Sequence, residues 1–230
     1  MKTIGVIGGM SWESTTTYYQ LLNLGIKHQL GGLHSAKIIL NSVDFAEIEK
    51  LQHQGKWDET AVILIEAAQS LQRAGADFMI IATNTMHKVA EQVEASVDIP
   101  LVHIADATGQ RLVDQGISKV GLLGTAFTME QDFYKRRLTE KFGIEVVVPN
   151  GVQRQLVHDI IYKELVQGII TSQSKDDYCT IIADLAEQGV EGVILGCTEI
   201  GLLVKNEDCD VPVFDTTEIH AQAAVQEALN

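Results

Sequence analysis

Residues 71–83 read LQRAGADFMIIAT, and residues 185–197 read LAEQGVEGVILGC. The two stretches are one pattern written twice at a constant offset. Leu71 falls on Leu185, Gly75 on Gly189 and Thr83 on Cys197, while Ala74 is replaced by Gln188. Each copy reads as a helix end, a glycine turn, a buried strand and a polar residue at the strand's carboxyl end. Such ends are where α/β proteins place their ligands and chemistry. Two of them related by a repeat predict one site between two halves, with a reactive residue on each side. That arrangement suits a reaction with two faces.

The repeat reaches further along the chain. IGVIGG at 4–9 matches VGLLGT at 120–125, with Gly5 on Gly121 and Gly8 on Gly124. Pro100 before LVHIADAT matches Pro212 before VFDTTEI. Small drifts in the offset mark loop insertions. The apolar runs are short, rich in Val and Ile, and alternate with amphipathic stretches, the signature of parallel sheets covered on both faces. Strands are expected at 3–8, 36–42, 77–83, 100–104, 119–124, 144–148, 191–196 and 211–214. Helices are expected at 12–29, 44–52, 56–74, 86–95, 106–115, 128–142, 153–167, 174–188 and 217–229. The expected fold class is α/β: two similar α/β domains with parallel sheets, related by a pseudo-twofold, with the active site in the cleft between them. The N-terminal domain is expected at 1–106 plus 208–230 and the C-terminal domain at 107–207. In that reading the last strand and helix, 211–229, return to the first half.

Composition narrows the function. A net charge of −14, from 17 basic and 31 acidic residues, argues against nucleic acid, whose binding needs basic surface. It favours a soluble, cytoplasmic protein. No apolar run reaches the roughly 18 residues of a membrane span, so no membrane partner is expected. The opening MKTIGVIGGMSWES reads as a first strand rather than a secretion signal. Cys179, Cys197 and Cys209 are odd in number and lack CxxC spacing, which gives no disulfide framework and fits a reducing compartment. The histidines show no HxxxH or HExxH pairing, so no metal site is expected.

Cys197 stands in GCTEIG directly after an apolar strand. Free cysteine is often a small buried hydrophobe, and that reading fits Cys179, on the helix with Ile182 and Ala186. Cys209, in NEDCDVP, reads as more exposed. For Cys197 the position at a strand end favours function, as a base or nucleophile when ionised. Thr83 opens the mirrored loop TNTMH, where turn and N-cap chemistry alone would account for Thr and Asn. Its repeat partner Cys197 favours function there too. GGMSWES at 8–14 and GTAFT at 124–128 follow the first strand of each half. Their backbone amides, with Ser11, Thr125 and Thr128, make either a carboxylate cradle at a helix start or ordinary tight turns with N-caps. GVIGGM lacks the dinucleotide fingerprint, and GVIGG is no P-loop because no GKS or GKT follows. His87 and His103 lie near predicted strand ends, as cleft residues or as satisfied structural histidines.

IGVIGGM, the TNT loop, GTxxTM and above all GCTE followed by PVFDTT resemble the aspartate/glutamate racemase superfamily. The resemblance covers essentially the whole chain and looks closest to the bacterial amino-acid racemase, L-aspartate/glutamate racemase-like branch. It implies two α/β domains with pseudo-twofold symmetry, a homodimer, a small-molecule amino-acid substrate, no cofactor, and two cysteines on opposite faces of the substrate α-carbon. The second family cysteine corresponds to Cys197, and the first to Thr83, a departure. A hydroxyl is too weak an acid to stand ionised as a base at neutral pH, but it can relay or donate a proton. The resemblance therefore implies that Cys197 deprotonates the L-substrate and that Thr83, with or without water, acts on the D face. It also gives Asn84, Thr85 and Thr198 the α-carboxylate or α-amino group, Met10, Ser11 and Gln52 the side-chain border, and Thr125 and Thr128 the carboxylate pocket. Glu199 takes the α-ammonium or is structural. Gln52 and Val166 stand where basic residues are expected, which weakens acidic substrates and opens the site to neutral polar ones such as homoserine. Lys163, Lys88 and Lys50 are the possible compensating cations. A broad-specificity racemase and a binding protein that lost catalysis with its first cysteine are the alternatives.

Overall fold

A computed structural model describes Met1–Asn230. Contacts divide the chain into two units, Met1–Ile104 with His220–Asn230, and Ala105–Ile219. In the first, β1 (Ile4–Gly8), α1 (Trp12–Leu30), β2 (Ile38–Ser42), α2 (Phe45–His53), α3 (Trp57–Arg73), β3 (Phe78–Ile81), a 3-10 turn (Thr85–Val89) and α4 (Ala90–Glu94) precede α5 (Ile104–Asp114). The second carries β4 (Lys119–Gly124), α6 (Ala126–Glu130), α7 (Asp132–Phe142), β5 (Glu145–Val147), α8 (Gly151–Lys163), α9 (Ser172–Glu187), β6 (Val193–Gly196), α10 (Ile200–Leu203) and β7 (Val213–Asp215). The last helix, α11 (Thr216–Leu229), begins in the second unit and ends in the first.

Both sheets are parallel. Their orders are β2-β1-β3 and β5-β4-β6-β7. The orders match once the isolated bridge Met79–Leu101 is set beside β7. Met79 N–H donates to the Pro100 carbonyl at 2.9 Å, as Val193 N–H does to that of Pro212 at 2.9 Å. The matched prolines thus mark the same edge of each sheet. The expected strand at 100–104 contracts to that bridge because α5 already begins at Ile104. The expected return of 211–214 to the first half is corrected: Val213, Phe214 and Asp215 pair with Val193, Ile194 and Leu195 of β6. Only the chain from His220 onward rejoins the first unit, so the expected return at 208 moves to 220 and the expected first boundary at 106 moves to 104.

Burial explains why these runs are strands. Along β3, Phe78 and Ile80 enter a cluster with Ile4, Tyr18, Leu22 and Ala224, while Met79 and Ile81 enter one with Ile7, Leu64 and Leu71. A strand with apolar partners on both faces reads as a continuous apolar run. In the second unit Leu123, Val193 and Leu195 pack on Tyr178, Ile181 and Leu185 of α9. The glycine repeat has two physical causes. Gly75 and Gly189, closing α3 and α9, have φ of +93° and +80°, a region side chains disfavour. Gly5 and Gly121 lie against Leu71 and Leu185, where an added Cβ would stand 3.2 and 3.0 Å from the leucine Cδ1.

The helix ends deviate from expectation for local reasons. The helix expected over 128–142 starts earlier, with Thr125 accepting from Thr128 N–H, and breaks at Gln131, whose backbone is extended. Asn150 caps α8, accepting from Val152 and Gln153 N–H at 3.1 Å each, and the expected tail of that helix becomes a 3-10 turn at Leu165–Gln167. The stretch expected as helix 86–95 is half 3-10 turn. No helix is long and apolar enough to cross a membrane.

Candidate active site

In the second unit, β6 delivers Cys197 onto a short loop that turns into α10. Cys197 Sγ donates to Glu199 Oε2 at 2.9 Å, and Thr198 Oγ1 donates to the same oxygen at 2.6 Å. Glu199 is buried, at 6% exposure, so its carboxylate relies on these donors in place of water. Cys197 is half-buried. Its withdrawal from water pushes its pKa well above the ordinary value, and the Glu199 carboxylate pushes it further the same way, with a smaller push from Asp215. The resting group is therefore a thiol already aimed at an acceptor. Ionising it requires the proton to pass to Glu199 or a positive charge to arrive nearby.

Thr125 and Thr128 lie beside this strand end. Thr125 caps α6, its hydroxyl is 3.3 Å from that of Thr128, and Thr128 packs against the Gly196 backbone. The paired register of Gly124 with Gly196 brings the two loops together. Ala126 N–H donates to His158 Nδ1 at 3.2 Å, a contact that sequence spacing did not indicate. Asp215 was likewise missed: its Oδ1 accepts from Thr217 and Glu218 N–H at 2.8 and 3.3 Å, so the DTT stretch is a helix cap, and burial raises its pKa. Val166 lies in the 3-10 turn Leu165–Gln167 and packs on the core of this unit. Lys163 is exposed and pairs with Asp159 at 2.9 Å. The thiols of Cys179 and Cys209 are hydrogen-bonded to each other and both are raised in pKa first by burial.

In the first unit, the equivalent strand end is built differently. Thr83 N–H donates to the Ile81 carbonyl at 2.9 Å, and His87 Nδ1 donates to the Thr83 carbonyl at 2.8 Å. Asn84 and Thr85, both buried, begin the 3-10 turn. Gln52 is buried and donates from Nε2 to Met86 Sδ at 2.9 Å, which places it against this turn. Met10 shares a core cluster with Met86. Ser11 caps α1, accepting from Ser14 N–H at 3.3 Å, so the cap reading of this hydroxyl holds. Lys88 lies over the Trp57 ring at 4.0 Å, and burial lowers its pKa; Lys50 is exposed. Met10, Ser11, Gln52, Thr83, Asn84 and Thr85 thus belong to the first unit, and Thr125, Thr128, Cys197, Thr198 and Glu199 to the second.

Beneath Thr83 the structure shows a buried histidine group. His220 donates from Nε2 to the Val102 carbonyl at 2.7 Å and accepts at Nδ1 from Tyr18 at 2.8 Å. Burial depresses its pKa to about 4. The rings of His87 and His103 are 4.4 Å apart and those of His87 and His220 5.8 Å apart. The sequence signal for His87 and His103 was their place at strand ends; His220, far along the chain, carried none.

The profile described as Asp/Glu/Hydantoin racemase matches residues 7–224. The chain is 58% identical to a candidate Asp/Glu racemase from Yersinia pestis, whose crystal structure aligns over 100% of both chains with a TM-score of 0.95. It is 39% identical to an aspartate racemase homologue from Pyrococcus horikoshii, again over 100% of both chains, with a TM-score of 0.86. Among characterised proteins it is 21% identical to the broad specificity amino-acid racemase RacX of Bacillus subtilis, over 73% of this chain and 72% of that one. With a profile match over nearly its full length, the chain belongs to the Asp/Glu/hydantoin racemase family and is an isomerase.

Proposed function

We propose that the protein racemises an amino acid, aspartate and/or glutamate, without a cofactor. Cys197 removes the α-proton from the L face, and Thr83, alone or through water, acts on the D face. The observation that carries this reading is the equivalence of the two strand ends. β3 and β6 occupy matching places in sheets of matching order, and Thr83 and Cys197 follow them at the same repeat position.

The thiol-to-carboxylate contact supports a division of labour. Glu199 accepts the Cys197 proton when the substrate's ammonium group enters and offsets the negative charge. The thiolate then takes the α-proton. The carbanion is stabilised by preorganised donors, for which the hydroxyls of Thr125, Thr128 and Thr198 and the amide of Asn84 are the candidates. Met10, Ser11, Gln52 and Thr85 border the substrate in this reading. A proton from the Thr83 hydroxyl, replaced from water, completes inversion. Enantiomers have equal free energy, so kcat/KM is equal in both directions; the lopsided pair of residues shows in kcat and KM separately.

The buried, uncharged Gln52 favours a second reading of the substrate, a neutral polar amino acid such as homoserine. A carboxylate side chain beside it would lack the charged hydrogen bond, worth roughly 1.5–3 kcal/mol, that a basic residue supplies.

Proton NMR of L-aspartate and L-glutamate with the protein in D₂O, followed by chiral analysis, tests the proposal. The expected result is loss of the α-proton signal with accumulation of the D-isomer, abolished in Cys197→Ala. Exchange without D-isomer defeats the role of Thr83. No exchange with these, but exchange with homoserine, selects the neutral substrate. No exchange with any leaves a binding protein.

A further inference from the structure

The loop that carries Thr83 is clamped by a histidine whose two ring nitrogens are both engaged. His87 Nδ1 lies 2.8 Å from the Thr83 carbonyl, an atom that only accepts. Its Nε2 lies 3.3 Å from the Ile104 N–H, a group that only donates. These two partners admit one form of the ring: neutral, with the proton on Nδ1. The ring is 3% exposed and packs on His103 at 4.4 Å, so it has little freedom to turn. Ile104 N–H is the first amide of α5, a donor that no carbonyl within the helix can satisfy. His87 thus ties the end of β3 to the start of a helix. Its neighbour Met86 is tied to α2 through Gln52 at 2.9 Å, which anchors the same turn from a second side.

We propose that His87 is a positioning residue for the D-face step: held between the Thr83 carbonyl and the Ile104 amide, it fixes the backbone from which the Thr83 hydroxyl is presented. This rests on the racemase reading of Thr83. Cys197 has no counterpart of this clamp. Its carbonyl accepts from Ile200 N–H at 3.2 Å within its own loop, and its side chain is held directly by Glu199. The role of His87 is therefore specific to one face of the substrate.

The test is α-proton washout in D₂O measured separately for L- and D-aspartate, with homoserine run in parallel. Washout from the L-enantiomer reports Cys197, and washout from the D-enantiomer reports Thr83. In His87→Gln, D-washout and racemisation are expected to fall roughly tenfold to a hundredfold, while L-washout stays within about twofold, since a misplacement near 1 Å costs about that much. His87→Asn, whose side-chain N–H reaches the place of Nδ1, is expected to recover most of the loss. Equal losses from both enantiomers mean a merely structural histidine and overturn the proposal, as does D-washout that survives in His87→Gln. Thr83→Ala is the control: if it leaves D-washout intact, the reading of Thr83 itself has failed, and the proposal with it. Nitrogen NMR of labelled histidine reads the clamp independently of activity. A single Nδ1–H tautomer for His87 is expected, and the opposite tautomer or a mixture overturns the geometry.

Discussion

The ends of β3 and β6 occupy the same place in two similar sheets, yet they are held by opposite means. At β6 the side chain is held: the Cys197 thiol and the Thr198 hydroxyl both donate to one buried carboxylate oxygen of Glu199. At β3 the backbone is held: the Thr83 carbonyl takes a hydrogen bond from His87. The first arrangement stores a movable proton between two atoms. The second stores none and instead locks a direction. A duplicated scaffold can therefore keep its strands, glycines and prolines while its two strand ends diverge, because the scaffold is set by packing and the strand ends by local hydrogen bonds. The same contrast appears in the titrating groups. The second unit keeps a thiol neutral far up in pH, and the first keeps His220 neutral far down.

The comparison breaks most visibly at Cys197. Cys197→Ala is expected to lower α-proton exchange from the L-enantiomer by about 10³-fold or more, as removing the central group of a proton-transfer unit does. Loss of exchange from the D-enantiomer alone would reverse the assignment of faces. A pH consequence accompanies the same substitution. The folded thiol has a raised pKa, so the unfolded chain releases its proton first as pH rises. Stability therefore falls above the ordinary thiol value of 9.0, and Cys197→Ala should flatten that fall in urea titrations across alkaline pH.

Glu199→Gln is the next test and sharpens the role of the acceptor. Loss of a proton acceptor in contact with the base is expected to cost roughly 10²-fold in exchange from the L-enantiomer. Removing its negative charge also removes one cause of the raised Cys197 pKa, so the rising limb of the rate against pH should move to lower pH. A limb that stays in place would mean that burial, with the smaller push from Asp215, sets the thiol.

On the other side of the comparison, His220 makes the first unit sensitive to acid. Its pKa is lowered from 6.5 to about 4, so the unfolded chain binds a proton that the folded chain refuses between those values. Stability present above pH 6.5 is lost as pH falls toward 4, by about 3 kcal/mol from this group. Urea unfolding at pH 7 and at pH 4.5 checks this, with His220→Gln expected to show the shallower fall. The smallest effect concerns specificity. Gln52→Arg should raise kcat/KM for aspartate relative to homoserine by roughly tenfold, if the new charge reaches the substrate's side chain. An unchanged ratio would remove residue 52 from the specificity border.

Much of the fold was legible because a repeat carries its own check. Gly75 and Gly189 both take positive φ, and Gly5 and Gly121 both meet the leucine one helix away, so the matched letters have matched causes. The repeat also matched Pro100 with Pro212, and the structure places both at the same edge of their sheets. It misled at the C-terminus. Leu101 in the first unit makes a single bridge, whereas Val213–Asp215 forms a full strand on β6, and the expected return to the first half held only from His220. Periodicity describes what a segment can bury, not which of two similar sheets it buries it against.

The site divides along the same line. Cys197, Thr83 and the loops around them stood out as residues because polar groups after buried strands are conspicuous against apolar neighbours. The partners that give them character were not conspicuous. His220 is fully buried among residues far from it in sequence, bonded to Tyr18 and Val102. His158 reaches the amide of Ala126 across the loop after β4. Strand positions, turn glycines and strand-end residues follow from local chemistry and period, which a linear chain displays. The tautomer of His87, the acceptor of the Cys197 proton and the sheet that receives β7 depend on which distant groups come within about 3 Å, the reach of a hydrogen bond. Only the folded chain sets those distances.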